Sequence, residues 1–497
     1  MRIGRTKRRG ACKGLVAGGS AILFLLAGCT AGPKYQRPSA PAPVTWKTQG
    51  PWEAAAPQDA IPKGAWWGIF GDAELNAYEQ QLLKANPSLA AARERLAQAR
   101  SLAWVAASGL FPQVAADPSA QRERVAADRP LFSLPPAPVT QNVFTIPFSL
   151  NYEADLFGGV RRNLEAANAS LQATAADLEN AQLVLTAELA ADFFSLRELD
   201  AEAQVVQESV AIQQEGLDLV QRRHAGGVAS GLEVAQQASL LDSTKTQLSL
   251  VQQQRAQYEH AIAVLTGAPP STFSVPAAPL RAAPPAIPLG VPSDLLERRP
   301  DIANAERQMA AQNAKAGAAA AAFYPVMTLA GGGGAQSVNI ASLISAPNAF
   351  WAFGADLLQP IFNGGRNRAN LAAAKAAYNE SVASYRQAVL TAFQQVEDGL
   401  SGLNSLAAAA ATQEAAVDDA RRALALATNR YVGGLTTYLD VITAQSTLLA
   451  SERLATQLLG QRIVTSVYLI KALGGGWEAA QLQEEKVHPR AAQAVQP

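Results

Sequence analysis

Thiols and imidazoles are scarce. The 497 residues include two cysteines, Cys12 and Cys29, and three histidines, His224, His260 and His488. With no cysteine beyond position 29, the body of the chain can form neither a disulfide nor a cysteine metal site. The histidines lack ligand-like spacing. Gly331-Gly332-Gly333-Gly334 lacks the Lys-Ser/Thr of a phosphate loop and reads instead as a bend or a close backbone approach. Catalysis finds no support, and no enzyme, cofactor or metal is expected. Net charge is absent, with 41 basic and 41 acidic residues. The apolar run from Gly14 to Leu26 is too short for a dependable membrane span. Proline is missing between Pro147 and Pro269 and between Pro360 and Pro489, which removes the commonest helix breaker from two long stretches.

Those stretches are rich in Ala, Leu, Gln, Glu and Arg, and they are copies of one another. Arg222-Arg223-His224-Ala225-Gly226-Gly227-Val228 returns 207 positions later as Asn429-Arg430-Tyr431-Val432-Gly433-Gly434-Leu435. The same shift carries Leu232-Glu233-Val234 onto Leu439-Asp440-Val441, and Gly158, Arg161, Asn163 and Leu164 onto Gly365, Arg368, Asn370 and Leu371. A match this long marks a duplicated module, not a short solenoid repeat. From Gly158 to Gly226, and from Gly365 to Gly433, the pattern predicts helices of about 65 residues, roughly 100 Å each. Leu164, Leu171, Leu178 and Leu185 stand seven apart and become Leu371, Tyr378, Tyr385 and Ala392 under the shift. That heptad seam predicts helix-on-helix packing. The segments 72–108 and 230–266, end to end, match one long helix in length.

Charge is lopsided at the N-terminus, where Arg2, Arg5, Lys7, Arg8, Arg9 and Lys13 precede the apolar run. This reads as a secretory signal over residues 1–28. Its end, Leu26-Ala27-Gly28-Cys29, resembles the bacterial lipobox, which implies cleavage before Cys29 and lipidation of Cys29. Removal of the signal leaves 35 basic against 41 acidic residues and disfavours a nucleic-acid partner. Residues 29–71 read as a lipidated, proline-rich tether, and residues 269–293 as a linker between a first repeat, 72–268, and a second, 294–474. Residues 475–497 form a tail.

Each repeat also alternates with a period of two. Phe144, Ile146, Phe148, Leu150 and Tyr152 interleave with polar or small residues, as do Trp351, Phe353, Ala355 and Leu357. Strands are predicted near 112–125, 142–156, 325–337 and 350–360. Apolar and aromatic on one side and small or polar on the other, they suit a membrane β-barrel wall. Four strands cannot close a barrel, since the smallest need eight, so the strands must be shared between copies. Pro147 is a local misfit and reads as a bulge or strand start.

Lipobox, Gly32-Pro33-Lys34-Tyr35-Gln36-Arg37-Pro38 leader, Arg299-Pro300-Asp301-Ile302, duplicated helix-strand-strand-helix units and paired-glycine tips together resemble the TolC-like outer membrane factors. The likeness is to the outer membrane lipoproteins of RND-type efflux systems. It implies a mainly α fold with a membrane β-barrel part: a homotrimer with a twelve-stranded barrel in outer membrane lipid and a periplasmic coiled-coil tunnel. An equatorial region is expected around 45–70, 267–293 and from 475 onward. The implied function is a passive exit duct of a tripartite pump, with a periplasmic adaptor and an inner-membrane transporter as partners. A type I secretion outlet and a non-conducting envelope-spanning scaffold are the alternatives. The resemblance assigns adaptor docking to Gly226, Gly227, Val228, Ala229, Ser230, Gly433, Gly434, Leu435, Thr436 and Thr437. Both glycine pairs are expected to supply the positive φ of a tight turn. A periplasmic gate is implied at Asp440, with Thr443 where relatives carry a second acid. Tyr431 matches a family tyrosine that ties neighbouring coils, and His224 takes that place in the first repeat.

Overall fold

A computed structural model describes residues 30–39, 46–47, 64–125, 139–280, 284–285, 287, 298–477 and 486–487. Cys29, and with it the implied lipidation site, lies outside the described residues, as do residues 1–28 and His488. A short 3-10 turn, Trp66–Phe70, leads into α1 (Ala73–Ala85) and α2 (Pro87–Ser108). The first hairpin is β1 (Gln113–Ala116), β2 (Ser119–Val125) and β3 (Val139–Ala154). Next come α3 (Gly159–Ala225), α4 (Gly231–Leu265) and α5 (Pro300–Ala321), then a second hairpin of β4 (Val326–Ser337) and β5 (Ala349–Leu358). α6 (Arg366–Val432) and α7 (Tyr438–Ala472) complete the second repeat.

α3 and α6 each run 67 unbroken residues, and α4 and α7 each run 35. At about 1.5 Å per residue the long pair spans roughly 100 Å. Toward the strands α2, α3, α5 and α6 lie side by side in that order, and toward the far end the order becomes α4, α3, α7, α6. The heptad seam explains the contacts: Leu164 and Leu171 of α3 are buried, as are Tyr385 and Ala392 of α6. Leu371 and Tyr378 are only half-buried, because among the described residues no helix packs on the outer flank of α6.

The stretch 72–108 is two helices. Pro87 cannot donate to a continuing helix and occupies the first turn of α2 instead. The Asn86 side chain caps α2 by accepting from the Leu89 amide at 3.0 Å, and it donates to the Leu265 carbonyl at 2.8 Å. The break thereby ties down the end of α4.

The equatorial segments converge on the middle of α3. Trp66 Nε1 donates to Thr186 Oγ1 at 3.2 Å. Arg197 donates to the Pro276 carbonyl at 2.6 Å and pairs with Asp200 at 2.9 Å and with Glu74. Around them Trp66, Trp67, Leu75, Leu82, Phe193 and Phe194 form the main core, each large side chain contributing about 2–3 kcal/mol by burial. The Arg299-Pro300-Asp301-Ile302 motif has a structural job here. Pro300 opens α5, Ile302 is buried, and Arg299, held by Asp301, donates to the Ala472 carbonyl at the end of α7.

The leader is docked over its described part. Arg162 of α3 donates to the carbonyls of Ala31, Gly32 and Pro33. Tyr35 donates to Glu306 of α5 at 3.2 Å, and Arg37 donates to the Tyr385 hydroxyl of α6 at 3.2 Å. Residues 31–37 are thus a strap across three helices, where the composition alone suggests a tether.

The strands form one antiparallel sheet in the order β1/β2, β3, β4, β5. The strand expected over 112–125 is divided at Asp117-Pro118. Pro147 is neither bulge nor strand start: β3 pairs through it without a change of register on either side, with Ala116 opposite Phe148, Ser119 opposite Thr145 and Gly334 opposite Pro147. The Asp117 amide still donates to the Pro147 carbonyl at 3.3 Å. Pro147 returns no hydrogen bond, and Pro118 has no donor either, which accounts for the division of the outer strand. On the other side Gly334 makes room. A Cβ there would lie 2.1 Å from the Ile146 carbonyl oxygen, so only glycine fits. Of the four glycines, Gly334 therefore serves the close backbone approach, while a Cβ at Gly331 would meet the Phe353 ring and one at Gly332 or Gly333 a carbonyl oxygen at 3.3 Å.

Candidate functional site

Both ends of the long helices finish in the same turn. In the first, the Val228 amide donates to the Arg223 carbonyl at 2.8 Å and the Gly227 amide to the His224 carbonyl at 2.9 Å. In the second, Leu435 donates to Arg430 at 2.9 Å and Gly434 to Tyr431 at 3.0 Å. This pair of bonds is the Schellman motif, which requires a left-handed residue at one position. Gly227 and Gly434 supply it with φ of 75° and 71°. Gly226 and Gly433 do not: their φ values of −79° and −74° suit any residue. The paired-glycine reading is therefore corrected to one obligatory glycine per tip.

Past the turn the two tips differ. Ser230 caps α4 in a reciprocal capping box with Glu233. Thr437 opens α7 with no side-chain cap, and Thr436 instead donates its hydroxyl to the Asp440 carboxylate. Asp440 sits exposed in the first turn of α7, where the helix dipole favours a carboxylate. Thr443, one turn on, donates back to the Leu439 carbonyl. Between the turns, apolar side chains face solvent, with Val228 and Leu435 70% and 74% exposed. A groove lined by Ala235, Ser239, Leu240, Leu439 and Ile442 adjoins them. Ala229 lies at the turn, its carbonyl 2.8 Å from His224 Nδ1.

Tyr431 is buried where three helices meet. Its ring stacks edge-on against Tyr438 of α7 at 4.8 Å, and the Arg223 guanidinium of α3 lies 4.6 Å from its centre. Its counterpart His224 is exposed and braces only its own turn. Sequence reasoning missed the groups beneath. The Tyr438 hydroxyl is buried without a hydrogen-bond partner beside Gln237, Gln445 and Gly216. Burial, with smaller contributions from Tyr431 and Glu233, pushes that hydroxyl up to about 12. Glu79 of α1 is fully buried with neither carboxylate oxygen paired, and burial alone pushes it up to about 9. Tyr438 fits the apolar stripe of its helix and only the packing reveals it, whereas Glu79 stands in the stripe Leu75, Glu79, Leu82, where a carboxylate breaks the apolar pattern.

At the opposite end the sheet is open on both sides. Within the described residues nothing pairs with the outer edges of β1/β2 and β5. Along β5 Trp351 and Phe353 are 82% and 76% exposed. No described helix is long and apolar enough to cross a membrane, and no described cluster of side chains could hold a metal ion.

The architecture, a duplicated helical rod with a pair of hairpins at one end, is shared with known proteins. Residues 79–268 and 291–475 match the family of outer membrane efflux proteins. The chain belongs to that family. The pyoverdine export outer membrane protein OpmQ of Pseudomonas aeruginosa is 34% identical over 459 residues, covering 92% of this chain and 96% of that one. The toluene efflux pump outer membrane protein TtgI of Pseudomonas putida is 31% identical over 468 residues, covering 92% and 98%. Among solved structures, the outer-membrane channel OprN matches with a TM-score of 0.84 at 30% identity, over 90% of this chain and 100% of that one. As an outer membrane efflux protein, the chain is the outer membrane channel of an efflux pump, and its family is one of ducts rather than enzymes.

Proposed function

We propose that three copies close a twelve-stranded barrel in the outer membrane and continue below it as a helical tunnel across the periplasm. One observation carries this reading: an antiparallel sheet four strands wide, the divided β1/β2 counting as one, has both edges open above rods of roughly 100 Å. Three such sheets supply twelve strands and leave no edge, as a lipid-exposed sheet requires. Cargo passes passively, and the energy comes from an inner-membrane transporter of the RND type. A periplasmic adaptor docks on the tips at Gly226 to Ser230 and Gly433 to Thr437, through the exposed Val228 and Leu435. Asp440, Tyr431 and His224 form the periplasmic gate. Cys29 carries the acyl chains. Thr30, its chain neighbour, packs against Gly158 at the foot of the barrel, which suits a membrane anchor at that level.

The detergent-purified protein should show the mass of three chains by light scattering and discrete conductance steps in planar bilayers. A single-chain mass, or silent bilayers, would refute the duct. Palmitate labelling should vanish in Cys29→Ser while the three-chain mass persists; a label that persists refutes the anchor.

A further inference from the structure

The two hairpins are copies with the same stagger. Gln113 pairs with Asn151 and Ala116 with Phe148 in the first, and Val326 pairs with Leu358 and Leu329 with Ala355 in the second. Every first-strand residue has thus moved 213 positions and every second-strand residue 207. The hairpins join through β3 and β4, where Pro147 faces Gly334 and Phe148 faces Gly333. Only one strand step is left to define in a ring of such hairpins, namely β5 against β1/β2 of a neighbouring copy.

We propose that this seam repeats the β3–β4 step. The two shifts then convert Pro147 into Gly354 and Gly334 into Gln121, so Gly354 of one copy faces Gln121 of the next. The rest of the ladder is then fixed: Asp356 faces Ser119, Ala352 faces Glu123, Phe353 faces Arg122 and Trp351 faces Arg124. This inference rests on the three-copy assembly and specifies its register.

Side-chain chemistry supports the register independently of the arithmetic. Trp351 and Phe353 share one face of the sheet with Phe148 and Leu150, through Gly333 and Gly331. In the isolated chain both rings are mostly exposed. The proposed seam lays a guanidinium beside each, a pairing that aromatic rings favour. A slip of two residues toward Ala120 would keep one such pair, and a slip of one would lay Trp351 and Phe353 against Glu123 and its neighbours Gln121 or Val125, with both guanidinium groups on the opposite face.

The geometry also says where to place a crosslink. The Pro147 carbonyl accepts from Asp117 on the β1/β2 side, so Pro147 and Gly334 do not exchange hydrogen bonds. Their equivalents at the seam, including Ala352 with Glu123, are then non-hydrogen-bonded pairs with Cα atoms about 4.5 Å apart. That separation lies in the disulfide range of about 4.4–6.8 Å, whereas diagonal neighbours at about 7–8 Å lie outside it.

The full-length protein carrying both Ala352→Cys and Glu123→Cys should run as a covalent trimer on non-reducing gels after mild oxidation, far above the background of each single variant. Ala352→Cys combined with Gln121→Cys or Val125→Cys should crosslink at least tenfold less. Preferential crosslinking of either diagonal pair would overturn the register. So would the absence of any crosslink in a sample whose light-scattering mass is three chains. A single-chain mass would instead strike at the assembly itself, which separates the two failures.

Discussion

Replacing Gly434 by valine tests the tip geometry with little interference from packing. A Cβ at Gly434 would meet nothing within 4 Å, so any effect comes from the backbone and not from a clash. At φ of 71° an L-residue costs about 1–2 kcal/mol relative to glycine, and β-branching adds to it. If the turn relaxes instead, the Gly434-to-Tyr431 and Leu435-to-Arg430 hydrogen bonds are lost at about 1 kcal/mol each. Either way local stability of the tip should fall by about 2 kcal/mol, a roughly thirtyfold rise in the open population. Gly433→Ala is the matched control. At φ of −74° with its nearest neighbour at 3.4 Å, it should be neutral or slightly stabilising, as alanine is in any helix. Hydrogen exchange at the Leu435 amide reads the difference directly, and adaptor binding should track it. Equal exchange in the two variants would refute the assignment of a single obligatory glycine to each tip.

Three other perturbations should separate as clearly. Glu79 has its folded value raised from 4.5 to about 9. Its neutral form is free of cost below pH 4.5, and stability drains away as pH climbs toward 9. Glu79→Gln should therefore stabilise by about 3 kcal/mol at pH 7 and hardly at all near pH 4.5, and denaturation curves with identical pH slopes in both proteins would contradict this. Gly216→Ala places a methyl 2.6 Å from the Tyr438 hydroxyl and should lower the melting temperature, while Tyr438→Phe should restore it; additive effects in the double variant would mean the two do not touch. Asp440→Ala should reduce cation preference and divalent block in bilayer recordings if three copies ring the tunnel mouth. If the carboxylate only steadies the start of α7 by way of Thr436, stability should fall and selectivity should not.

The large features were legible because they rest on spacing that packing cannot hide. Proline-free stretches and a 207-residue repeat suffice for two 67-residue helices, and alternation suffices for the strands. The misses have a common cause in tertiary partners. Pro147 stays within its strand because Gly334 lets the backbones close in. The break at Pro87 holds because Asn86 finds the end of α4. The leader lies flat because Arg162, Glu306 and Tyr385 wait for it on three helices. At the tips, sequence showed two glycines per turn, but only the hydrogen-bond pattern says which one is irreplaceable.

The leader strap has a consequence for the order of folding. Arg37 meets Tyr385, 348 residues downstream. Residues 31–37 must therefore wait until about half of the second repeat, 294–474, has been delivered before they can settle. Contacts so distant in sequence form late, because the loop they close has to be paid for first. The strap then works as a clasp that reports completion, since only α3, α5 and α6 together supply all of its partners, Arg162, Glu306 and Tyr385. A chain truncated before α6 would leave Arg37 without Tyr385 and the strap undone, marking an unfinished fold.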